Sequence, residues 1–160
     1  MVTDTPGALV RLLVAFALTF VIGYERELRG SPAGDRTFSL IGVGSALIGV
    51  LASRGAPNAL AGVVTGIGFI GGGIVFRQAV TGGEVVRGVT SAATIFATAA
   101  IGAAAGEGWL LLAAVGTAFV LFSLEVRNLP IFRLLDARIA AHRFKEDETP
   151  PVVRGPGANP

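Results

Sequence analysis

Residues 59–76 read ALAGVVTGIGFIGGGIVF, eighteen positions without a charge, and the fold turns on how they are read. Within them Gly66-Ile67-Gly68-Phe69-Ile70-Gly71 spells GxGxxG. In a Rossmann unit that pattern follows a strand, opens a helix and seats a pyrophosphate on the helix N-terminus. Here it lies in the middle of an apolar run, with no ribose-binding acid in a βαβ context beyond it. The run reads instead as a membrane helix, because in lipid only a helix satisfies the backbone of a single continuous segment. Gly62 with Gly66, and Gly68 with Gly72, then become small-xxx-small pairs that let helix backbones approach closely. The consecutive glycines at 71–73 leave a second reading open, a broken helix with free carbonyls at a binding site.

Working outward, four comparable runs flank this one, at residues 7–24, 38–53, 89–105 and 109–124. The first is interrupted only by Arg11. Each run is about 16–18 residues, or roughly 24–27 Å as helix, at the short end for a hydrocarbon core of about 30 Å. Between residues 37 and 124 the only charges are Arg54, Arg77, Glu84, Arg87 and Glu107. Over all 160 residues 52% are apolar, 23 are glycine and 15% are charged, against about 25% charged in soluble domains. A soluble enzyme, a nucleic-acid-binding domain and a disordered chain are excluded, since the helix surfaces have almost nothing polar to present to water. The net charge of +2 forms no basic patch with interleaved aromatics. The absence of cysteine removes disulfides, thiolate chemistry and Cys-zinc sites. The N-terminal MVTDTPGALV lacks a basic n-region, so the first run is not read as a cleaved signal peptide.

The expected fold is therefore an all-α polytopic membrane bundle of about five transmembrane helices, occupying residues 1–127. With the N-terminus outside, eleven of the 13 basic residues face the cytoplasm, and Arg11 and Arg54 do not. The positive-inside rule then predicts an N-out, C-in topology. Residues 128–144 are read as an interfacial cytoplasmic helix, with Ile131, Leu134, Leu135 and Ile139 at helical spacing. Residues 145–160, rich in Pro, Gly and charge, are read as a disordered tail.

Three groups of residues invite a functional reading. Residues 25–36 form the one dense charge cluster of the membrane portion, read as a loop with turns at Gly30, Pro32 and Gly34. Either its charges are interfacial anchors paired with one another, or Glu25, Arg26, Asp35 and Arg36 are drawn into the mouth of the bundle as a polar site. A hard cation would want the oxygens of Glu25, Glu27, Asp35 and Glu84, but three nearby arginines argue against a simple Mg²⁺ cage. The second group is the row Thr90, Thr94, Thr98, Gly102 and Gly106, each four apart and so on one helix face. Its hydroxyls offer ion ligands, although such groups usually bond back to the i−4 carbonyl. The third is the set of packing glycines, Gly62, Gly66, Gly68, Gly72, Gly102 and Gly106. No nucleophile–base pair is visible, His142 is the single histidine, and no enzyme and no cofactor are expected.

Several of these stretches resemble a known family. They are Gly23-Tyr24-Glu25-Arg26-Glu27, Pro32-Ala33-Gly34-Asp35-Arg36-Thr37, the block from Thr65 through Gly73, and Arg87-Gly88-Val89-Thr90-Ser91-Ala92-Ala93-Thr94. The alanine-rich Ala100-Ile101-Gly102-Ala103-Ala104-Ala105-Gly106 continues the match. Together they resemble the MgtC/SapB family over residues 7–124. The resemblance implies a bacterial inner-membrane protein with a small helical bundle, linked to adaptation to low magnesium and to survival inside host cells. Some members act by modulating other membrane machines, including the ATP synthase, rather than by carrying magnesium. Asp35 stands where the family usually has an apolar residue, and longer members add a folded cytoplasmic domain. The expected function is a membrane-embedded regulator acting through helix–helix contacts; the alternative is a small ion or solute permease using the charged cluster. Expected partners are the lipid bilayer, a second copy in a homodimer and other membrane proteins, with no nucleic acid; Mg²⁺ is a candidate ligand.

Overall fold

The computed structural model describes residues 5–78 and 88–126. Five helices follow one another: α1 (Thr5–Leu28), α2 (Asp35–Ala52), α3 (Ala59–Gln78), α4 (Val89–Glu107) and α5 (Leu110–Glu125). No strand occurs among the described residues. The bundle belongs to the compact unit Met1–Phe122; the other unit, Ser123–Pro160, holds the last turn of α5 among the described residues. The proposed interfacial helix, the tail, His142, Glu84 and Arg87 lie outside the described residues.

The apolar runs become helices because each must satisfy its backbone internally. Helices α1, α2 and α4 are long and apolar enough to cross a membrane. The apolar stretches Ala59–Val75 of α3 and Leu110–Glu125 of α5 are shorter, and a span of 16 residues covers about 24 Å.

Five of the six charged residues in the cluster lie in helices rather than in a loop. Helix α1 continues through Glu25, Arg26 and Glu27 to Leu28, and α2 already starts at Asp35, leaving only residues 29–34 as connector. Losing apolarity does not end a helix: Glu and Arg are good helix formers, and Glu25 pairs with Arg29 one turn on in the favourable acid-before-base order. Glycine ends it. Gly30 takes φ +67, and the amides of Gly30 and Ser31 bond the carbonyls of Glu27 and Arg26. Helix α4 stops in the same way at Gly108, with the amides of Gly108 and Trp109 on Ala105 and Ala104 at 3.0 and 2.9 Å. Both are Schellman closures, which need a left-handed residue at the turn.

The centre of the bundle is the seam where α2 meets α4, with α1 laid across it. At this seam carbonyl oxygens stand where side chains would be. A Cβ on Gly102 would strike the carbonyl of Gly42, one on Gly106 the carbonyl of Ala46, and one on Gly49 the carbonyl of Ala103. On the α1 side, Thr19 fills the space beside Gly42. Phe38, Ile22 and Ile95 are the largest fully buried apolar side chains. Helix α3 packs on α4, burying Ile67 and bringing up Gly71, whose Cβ position lies 3.5 Å from Ala92 Cβ. It runs unbroken through Gly71–Gly73, so the broken-helix reading gives way to a continuous one. Helix α5 buries Ala113 and Thr117 and sets Gly116 against Ile101. The large residues pointing outward, such as Leu13, Leu40, Phe69 and Leu111, would cost solubility in water but suit lipid.

Candidate functional site

The end of the bundle where α1 turns into α2 carries the polar candidates. Of the four sequence candidates, Glu25 and Arg26 belong to the last turn of α1, and Asp35 and Arg36 open α2. Glu25 and Arg26 sit on α1 and are largely shielded, with side chains 12% and 15% exposed. The Glu25 carboxylate lies 3.9 Å from an Arg26 Nη and 3.4 Å from Arg29 Nε. Both Glu25 oxygens and Arg26 Nε are closed to solvent yet lack a hydrogen-bond partner. A buried ion pair normally needs further hydrogen bonds to offset its desolvation, so this arrangement is costly for a purely structural feature.

Asp35 and Arg36 lie on the other side of the connector, in the first turn of α2. Here Glu27 matters more than the sequence suggested. Its Oε2 accepts from the Asp35 amide at 3.2 Å, while Asp35 Oδ1 accepts from the Arg36 amide at 2.6 Å. Gly34, the residue before α2, offers no side-chain cap. The carboxylate at the end of α1 therefore caps α2, and it lies over Gly34, where a Cβ would meet it. These groups line a polar cavity of about 490 Å³ with Ser31, Pro32 and Thr37. Among the described residues no three metal-ligating side chains converge. What the cavity offers chemically is two carboxylates already engaged with backbone amides, two hydroxyls and an exposed guanidinium.

The threonine row lies on the buried face of α4, except for exposed Thr90. Thr94 Oγ1 donates to the Thr90 carbonyl at 2.7 Å and Thr98 Oγ1 to the Thr94 carbonyl at 2.8 Å. Both hydroxyl protons are thus committed to their own helix. Gly102 and Gly106 continue the row into the α2 seam. Gly62, Gly66, Gly68 and Gly72 are placed differently: a Cβ on any of them meets nothing within 4 Å.

Arg11 is the polar residue that sequence reasoning passed over as a mere interruption. From α1 its Nη1 donates to the Gly106 carbonyl at 3.2 Å, and its guanidinium lies against Gly108. A cation at a helix C-terminus meets both the unsatisfied carbonyls and the negative end of the helix dipole. A lone charge inside an apolar run was the available signal.

Comparison with known proteins adds the following. The family model described as the MgtC family matches residues 12–129. Protein SrpB of Synechococcus elongatus is 41% identical over 137 residues, covering 76% of this chain and 75% of SrpB. YhiD of Escherichia coli (strain K12), named as a proposed magnesium transporter, is 38% identical over 145 residues, covering 82% of this chain and 66% of YhiD. Protein MgtC of Brucella abortus is 41% identical over 112 residues, covering 67% of this chain but only 45% of that protein. The chain thus spans from under half to three quarters of the length of these relatives. No solved structure matches it.

Proposed function

Because this chain belongs to the MgtC family, we propose that it is a multi-pass protein of the bacterial inner membrane, N-out and C-in, that regulates magnesium homeostasis or stress adaptation. It does so through contacts between its helices and those of other membrane proteins, and it is neither a conduit nor an enzyme. The observation that carries this reading is the closure of the α2–α4 seam. Backbone carbonyls occupy the space beside Gly49, Gly102 and Gly106, and the threonine hydroxyls along the α4 face bond to their own helix. A seam closed at backbone distance has no room for a hydrated ion, whereas the open glycine positions of α3 face outward. The name of YhiD supports the link to magnesium.

The test combines flux and growth. Purified protein in proteoliposomes is expected to pass no Mg²⁺. A deletion strain starved of magnesium is expected to be rescued by the wild-type chain and not by Gly72→Leu, which fills an open outward position without touching the seam. Mg²⁺ flux at a rate that accounts for the rescue, or full rescue by Gly72→Leu, refutes the reading.

One observation favours the permease alternative, the shielded Glu25 carboxylate without a hydrogen-bond donor. Ionisable groups at membrane depth tend to serve transport. On that reading, flux of Mg²⁺, another cation or a small anion appears in proteoliposomes and disappears with Glu25→Gln or Arg36→Ala. No flux for any of them removes it.

A further inference from the structure

Helices α3 and α4 close on each other at one level and part beyond it. Late in α3, the Cβ position of Gly71 lies 3.5 Å from the Cβ of Ala92, early in α4. The first half of α3 and the second half of α4 instead enclose a cavity of about 280 Å³. Leu60, Val64 and Ile67 stand on one wall, and Phe96, Ala100 and Glu107 on the other. The helices therefore run antiparallel, with the cavity shut at the Gly71–Ala92 end and reaching the end of α4 at the other.

Its length and its single charge are matched to a membrane leaflet. Phe96 lies near the middle of α4 and Glu107 is the last residue of that helix. The distance between them along the helix is about 16 Å, half of a hydrocarbon core of about 30 Å. Glu107 is the one charged residue of the lining, and every other residue of it is apolar. Trp109, just past the end of α4, is 63% exposed, and indole favours the depth where lipid headgroups begin.

Size and charge select the occupant. One turn of helix fills roughly 420 Å³ at a diameter of 10 Å and a pitch of 5.4 Å. That exceeds the cavity, so neither a second copy nor another protein can seat a helix inside it. Water needs two to four polar partners to stay in a cavity, and this lining offers one side chain. A hydrocarbon chain loses nothing there. The Glu107 carboxylate then discriminates by headgroup, repelling an anionic one and accepting hydrogen bonds from a primary ammonium.

We propose that the α3–α4 cavity holds one acyl chain of a bilayer lipid whose headgroup ends in a primary ammonium, with that ammonium on Glu107. The lipid then acts as a fixed wedge between the two helices. The inference rests on the membrane-embedded reading above, not on the orientation or the regulatory role.

The test weighs the full-length protein by native mass spectrometry after release from nanodiscs. The discs hold equal parts of phosphatidylethanolamine, phosphatidylcholine and phosphatidylglycerol with identical chains. One phosphatidylethanolamine is expected to stay bound, favoured about fivefold over phosphatidylcholine, the scale of a good ion pair at a partly exposed site. Glu107→Gln is expected to remove that preference and Glu107→Asp to keep most of it. Ala100→Phe fills the cavity from an exposed position of its wall, and is expected to lose the lipid while keeping the thermal midpoint of the bundle. Equal retention of the three lipids overturns the proposal. So do a preference for phosphatidylglycerol, a preference that survives Glu107→Gln, and a protein released without lipid. Lipid retention is read without reference to magnesium-limited growth, so failure of the lipid site and failure of the regulatory reading are separate results.

Discussion

Alanine introduced at Gly106 and at Gly68 is the same chemical change on two helices of one bundle, and its effect should have opposite signs. At Gly106 the new methyl lands 2.8 Å from both the carbonyl carbon and the Cα of Ala46, and closer still to the carbonyl oxygen. Ordinary contact at such a site begins near 3.4 Å, so α2 and α4 must part by about half an ångström or more along the most tightly closed seam of the bundle. Replacing glycine in a helix recovers about 0.5–1 kcal/mol. Overpacking against neighbours that cannot rotate away costs about 1–3 kcal/mol, and a backbone carbonyl is such a neighbour. The clash wins, leaving a net loss of about 1–2 kcal/mol. At Gly68 nothing lies within 4 Å, so the helix gain survives intact. Thermal unfolding in detergent, followed by Trp109 fluorescence, is expected to show Gly106→Ala several degrees below wild type and Gly68→Ala at or slightly above it. If Gly106→Ala is as stable as Gly68→Ala, the α2–α4 seam is not closed at backbone distance and the argument against a conduit falls with it.

Other outcomes follow from the polar contacts. Arg11→Leu removes the donor to the Gly106 carbonyl and is expected to cost about 1–2 kcal/mol; Arg11→Lys recovers part of this, and an unchanged thermal midpoint refutes a stabilising role for that contact. Glu27→Ala uncaps α2 and should speed amide exchange at residues 35–37 while leaving exchange in α4 alone, with Glu27→Gln in between. Thr98→Val removes a hydroxyl committed to the Thr94 carbonyl, so growth at low magnesium should be unchanged and stability altered by under about 1 kcal/mol; loss of function would restore the threonine row as an ion path.

The sequence resolves the elements better than the constellations. The apolar runs mark the helices to within a few residues. Structure and sequence part most clearly at residues 25–28, whose charges suggest a loop but which are helical, because leaving the apolar zone does not unwind a helix. Of the four proposed polar-site residues, Glu25 and Arg26 prove shielded on α1 while Asp35 and Arg36 open α2. The cap that joins the two helices is supplied by Glu27, which the sequence offers as an interfacial anchor or a cation ligand but not as a cap. That link runs across a turn from one helix end to the next, and local spacing cannot express it.

What the chain alone determined is what depends on neighbours in sequence. Composition chose lipid over water, continuous apolarity chose helix over strand, and Gly30 and Gly108 set where two helices stop, because only a left-handed residue closes such an end. What the tertiary structure decided is what stands opposite each face. Gly62 and Gly66 share the four-residue spacing of Gly102 and Gly106, yet the second pair meets carbonyls of α2 and the first meets open space. Spacing fixes which residues share a side of a helix. Only the packing of helices distant in sequence decides whether that side is filled by a backbone, a hydroxyl or nothing from its own chain.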